Sequence, residues 1–106
     1  MNKAEEIALE RNAKMEEVLS HYSDETVKMA RYYEGVLEDI IYYRKCNCNS
    51  SAAYLLKKYP DITEEMIELR SSLKKIYDEY SKAIYEAEEG EPMPKWLSDL
   101  FTEGEL

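Results

Sequence analysis

Seven apolar positions spaced alternately by three and four residues constrain this chain more than any other feature. They are Met66, Leu69, Leu73, Ile76, Tyr80, Ala83 and Ala87. Only an α-helix keeps such positions on one narrow stripe, and the spacing makes that stripe a heptad seam. The sequence therefore predicts a helix over 64–89. Asp61 with Glu64 reads as a capping box, Thr63 is the alternative cap, and Gly90 is placed to end the helix. About 26 residues at roughly 1.5 Å each make about 39 Å of helix. A helix of that length with a narrow seam needs an antiparallel partner or a second copy of itself. A homodimer through 66–87 follows as an expectation.

The rest of the chain reads as helical too. Its three glycines and three prolines, Gly35 excepted, fall at breaks or in the tail. A first helix is expected over 3–19, with an apolar stripe interrupted by Arg11 and Asn12. A second is expected over 25–45, capped by Ser23 or Asp24. It carries Met29, Ala30, Tyr33, Val36, Leu37, Ile40 and Ile41 on a broad core face. Gly35 within it marks an expected close helix crossing. A short helix over 52–59 stops at Pro60, and a last one near 95–101 follows Pro92 and Pro94. The expected fold is an all-α small helical bundle. Its two long antiparallel helices span 25–45 and 64–89, beside an N-terminal helix and two short ones. Residues 1–90 form the bundle domain, and 91–106 form a Pro-hinged acidic tail with a short amphipathic helix.

Charge divides the chain unevenly. The net charge is −9. Residues 1–26 hold seven acids and three bases, and residues 86–106 hold seven acids and one base, whereas 27–85 are balanced. No apolar run approaches the ~20 residues of a membrane span, and the first residues lack a signal peptide's apolar centre. The expected location is cytoplasmic, without membrane association. Cys46 and Cys48 are expected to remain thiols there.

Residues that could carry catalysis do not assemble into a set. His21 is the single histidine, and no spacing brings it to a nucleophile with an orienting third group. Cys46, Cys48 and His21 fall short of the four ligands of a structural zinc site. Glu64, Glu65 and Glu68 are similar to the first half of the magnesium-binding motif of helical nucleotide pyrophosphatases. The second half is absent, and acids at a helix start are favoured in any case. The reading is a protein that is not an enzyme, with no cofactor and no metal.

Two surfaces remain. The favoured one binds a protein or nucleoprotein partner with a basic surface. Its candidate residues are the off-stripe Tyr42 and Tyr85, the acids Glu86, Glu88, Glu89 and Glu91, and the apolar face of Trp96, Leu97, Leu100 and Phe101. The stretch from Leu97 to Phe101 is similar to the clamp-binding peptides of bacterial replication proteins, which end in Leu-Phe. Those usually begin with Gln, and this chain contains none. The implied function is a small regulator or inhibitor that presents carboxylates in place of nucleic acid. Its composition is of the kind carried by phage and mobile-element proteins. The alternative surface is nucleic-acid-binding: Arg44, Lys45, Lys57, Lys58, Arg70, Lys74 and Lys75 surround a segment that resembles a helix-turn-helix. Glu64, Glu65 and Glu68 at the start of its second helix, and the overall negative charge, oppose that use.

Overall fold

The structure, a computed structural model, describes residues 2–102 and the side chains of 2–99. The described residues form six helices and no strand: α1 (Lys3–Leu19), α2 (Asp24–Tyr32), α3 (Glu34–Lys45), α4 (Asn49–Lys58), α5 (Glu64–Glu89) and α6 (Lys95–Thr102). The chain is thus an all-α small bundle. No helix among the described residues is long and apolar enough to cross a membrane.

Local chemistry sets most of the boundaries. Asn2, Ser23 and Thr63 cap α1, α2 and α5 by accepting from the N–H groups of Glu5, Thr26 and Met66. Thr63 fills the cap position, so Asp61 and Glu64 make no capping box; Asp61 instead accepts from the Tyr33 hydroxyl at 3.4 Å. Gly90 ends α5 in the left-handed region, with φ 71° and its N–H on the Glu86 carbonyl. Helix α4 starts at Asn49, three residues before the expected 52, because Cys46, Asn47 and Cys48 complete the turn on their own.

The helix expected over 25–45 is two helices joined by an elbow at Tyr33. There φ is −96° and ψ is 18°, outside the helical range, although the flanking hydrogen bonds Tyr33 N–H to Met29 and Leu37 N–H to Tyr33 persist. The Tyr33 ring lies 5.9 Å from that of Tyr59, and its hydroxyl reaches Asp61. Docking onto the α4–α5 turn holds the elbow. Gly35 marks no close crossing: a Cβ there would have nothing within 4 Å.

The elbow changes which helices form the spine. Tyr80 donates to Glu10, Arg11 lies over Tyr77 at 5.3 Å, and Lys14 lies over Tyr80 at 5.5 Å. Tyr22, just past the end of α1, faces Glu68 near the start of α5, so α1 runs antiparallel along α5 and covers the C-terminal part of the seam, in place of the helix expected over 25–45. The N-terminal part enters the main core. There Met66, Ile67 and Leu69 pack with Ala30, Leu37, Ile40, Ile41, Ala52 and Ile62. Leu37, Ile40 and Leu69 are the most fully buried side chains. The Cα atoms span 46 × 32 × 16 Å. Since helices pack about 8–10 Å apart, the thin dimension holds little more than two layers and places most chemistry on the surface.

Candidate functional site

Three of the seven bases of the middle segment, Arg44, Arg70 and Lys74, are engaged in internal ion pairs. Arg44 on α3 grips Glu64 on α5 through its two terminal guanidinium nitrogens, at 2.9 and 2.7 Å. That contact lowers the Glu64 carboxyl from its usual range and raises the guanidinium. Arg70 pairs with Glu34 at 2.9 Å and with Glu38, and Lys74 pairs with Asp78 at 3.3 Å. Lys45 and Lys75 line an open cleft of about 270 Å³ with Ser71, Lys74 and Asp78. Lys57 and Lys58 are exposed near the end of α4, where Lys58 lies 5.7 Å from the Tyr59 ring. The seven bases therefore divide between an α3–α5 groove and the end of α4. Helix α4 packs on α3 and has little contact with α5. In a helix-turn-helix the two helices support each other; here α4 and α5 meet mainly in the shared core, where Ala52 joins Met66 and Ile67.

The acidic and aromatic candidates other than Tyr42 lie where α5 gives way to α6. Glu86 is half-buried and accepts from the Met93 N–H at 3.3 Å, and Met93 is itself buried. The segment after Gly90 therefore folds back onto α5. Glu88, Glu89 and Glu91 are exposed, as is Trp96 at 68%. Leu97 and Tyr85 are half-buried. The side chains of Leu100 and Phe101 lie outside the described residues. Tyr42 is exposed on α3, its ring 5.9 Å from that of Tyr43.

Three exposed tyrosines escaped the sequence reading: Tyr32, Tyr54 and Tyr77. Tyr32, at 78%, is more exposed than Tyr42, and Tyr54 on α4 is exposed at 63%. Tyr32 begins an aromatic row at the elbow, with ring centroids 4.9 Å from Tyr32 to Tyr33 and 5.9 Å from Tyr33 to Tyr59. The signal was present: at 100° per residue, Tyr32 falls beside the Met29–Tyr33–Val36 stripe rather than on it. Partial burial, then Asp61, raises the Tyr33 hydroxyl above its ordinary value; burial, then Glu68, does the same for Tyr22.

The acids of the pyrophosphatase-like stretch take different partners. Glu64 is held by Arg44, and Glu68 faces Tyr22. Glu64 and Glu65 both line an open cleft of about 530 Å³ with Glu25 and Asp61. Among the described residues no three His, Cys, Asp or Glu side chains are close enough to share a metal ion. His21, Cys46 and Cys48 are each exposed. Comparison of the chain with known protein families, curated proteins and solved structures finds no match.

Proposed function

We propose that this protein is a small, non-enzymatic regulator or inhibitor that binds a macromolecular partner with a basic surface. The contact is made by the last turn of α5 and the arm that follows it. The observation that carries this reading is the pairing of a mostly exposed Trp96 with the exposed acids Glu88, Glu89 and Glu91 in one short segment. An exposed tryptophan supplies hot-spot contact area, and the flanking carboxylates steer the encounter with a basic surface. A partner that binds nucleic acid fits, because the carboxylates then take the place of phosphates. The protein is proposed to work as an inhibitor of the phage or mobile-element kind, in the cytoplasm.

The test is an affinity pull-down of the tagged protein from its native cells, with wild type and Trp96→Ala as paired baits at low and high salt. A basic partner retained by wild type, weakened by Trp96→Ala and released by salt supports the reading. Equal retention by both baits overturns it. The alternative is nucleic-acid binding through Lys45 and Lys75 in the α3–α5 groove, with Lys57 and Lys58 on α4. A gel shift with nonspecific duplex at low salt detects it. The internal pairing of Arg44, Arg70 and Lys74 is the reason it ranks second. A homodimer through 66–87 ranks lower still, since α1 would have to leave the seam.

A further inference from the structure

The turn between α3 and α4 holds two thiols on a fixed frame. Asn47 takes the left-handed conformation at φ 60°. The Cys48 N–H bonds the Tyr43 carbonyl at 2.7 Å and the Asn47 N–H bonds the Arg44 carbonyl at 3.2 Å. These two bonds are the pair that defines a Schellman motif. The Cys46 N–H bonds the Tyr42 carbonyl at 3.0 Å, so all three residues are pinned. Both cysteines are exposed and free. The Cys48 sulfur lies 3.8 Å from the Cys46 carbonyl oxygen, which turns it back toward its neighbour.

We propose that Cys46 and Cys48 form a two-thiolate site for a soft monovalent d¹⁰ cation, Cu(I). Thiolates select such soft ions. Zinc wants four ligands, and no third His, Cys, Asp or Glu among the described residues completes a set here. A d¹⁰ monovalent ion is satisfied by two sulfurs in a nearly linear arrangement. Binding replaces two S–H protons with one cation: two thiols and Cu(I) give an anionic bis-thiolate and two released protons. The surroundings suit that anion. Cys48 occupies the N-cap of α4 and offers no side-chain acceptor to the helix. As a thiolate it would sit at the positive end of α4, and Lys45 is the residue before Cys46.

The experiment is an anaerobic Cu(I) titration of the reduced full chain against a coloured Cu(I) chelator. One Cu(I) per monomeric chain is expected, with both thiols lost together to a thiol reagent. Cys46→Ser and Cys48→Ser should each weaken binding at least about 100-fold, beyond the usual cost of a second-shell change. Asn47→Gly, which keeps the left-handed turn, should retain it. Three results would overturn the proposal: no stoichiometric binding, one single variant keeping wild-type affinity, or Cu(I) bridging two chains.

Discussion

Arg44 and Glu64 form an end-on, bidentate pair that ties the last turn of α3 to the first turn of α5. Each charge also sits at the helix end that favours it, a cation at a C-terminus and an anion at an N-terminus. The Arg44 guanidinium holds the Glu64 carboxyl below its usual range. The Glu64 side chain is 72% exposed, so the gain is that of a surface pair, about 0.5–1 kcal/mol. A depressed carboxyl contributes fully above its unfolded pKa and loses its contribution as pH falls through the folded one. Glu64→Gln should therefore lower the melting temperature by about 4 °C at neutral pH. The gap from wild type should shrink as pH falls below the ordinary carboxylate range and close once the carboxylate is lost in both states. Thermal melts by circular dichroism across that range are the check; a gap independent of pH assigns the effect to something other than this pair.

Arg70 answers two carboxylates at once. Its side chain is only 22% exposed, and it meets Glu34 and Glu38, which lie one turn apart on α3. Removing it leaves two like charges facing each other at i, i+4. Arg70→Met is expected to cost about 1–2 kcal/mol, between the ranges for exposed and buried pairs. The buried Nε, which has no partner among the described residues, is lost in the same change and offsets part of the cost. Adding Glu34→Gln and Glu38→Gln should recover more than half of the loss in a urea titration. If the triple variant is no more stable than Arg70→Met, the arginine acts through the packing of its stem.

Gly35 and Gly90 make opposite predictions for the same substitution. Gly35 lies in α3 with no positive φ and with open space around its Cα. Alanine there reduces the freedom of the unfolded chain without strain, so Gly35→Ala should stabilise by about 0.5 kcal/mol. Gly90 sits at φ 71°. Gly90→Ala should destabilise by about 1 kcal/mol, because a Cβ is disfavoured in the left-handed region. Paired denaturation curves decide both, and a loss of stability in Gly35→Ala would restore a packing role for that glycine.

How far these features were legible from the sequence depends on how local their causes are. Helix α5 was legible from end to end, because its seam, the alternative cap Thr63 and the terminal Gly90 agree. The elbow at Tyr33 was not. The stripe of Met29, Tyr33, Val36 and Ile40 runs through it unbroken, and the contacts that hold it lie 28 residues away at Asp61 and about as far at Tyr59. The spine was misplaced for a related reason. Arg11 breaks the apolar stripe of α1 and makes it read as a weak surface helix. Yet Arg11 and Lys14 lie over Tyr77 and Tyr80, so cationic positions help to form the α1–α5 interface. In the candidate site, the basic segment was visible as composition. Its commitment was not, because Arg44–Glu64 and Arg70–Glu38 join residues 20 and 32 positions apart.

The exposed acids at the end of α5 separate the proposed function from a purely solubilising role. Glu88, Glu89 and Glu91 are exposed, whereas Glu86 holds the Met93 N–H. Changing the first three to Gln should therefore leave the helical content and melting temperature near wild type, since surface changes of this kind usually cost within ~0.5 kcal/mol. Changing Glu86 should loosen the return of Met93 onto α5 as well. For a basic partner, the triple variant should bind more weakly, chiefly through a slower association rate, and its affinity should depend less steeply on salt. Trp96→Ala should act differently: it should speed dissociation and leave the salt dependence unchanged. Stopped-flow or surface-based kinetics at two ionic strengths read both quantities. If the acids only keep the chain dissolved, the triple variant will match wild type in both rates at either salt concentration, and the steering role assigned to Glu88, Glu89 and Glu91 is then wrong.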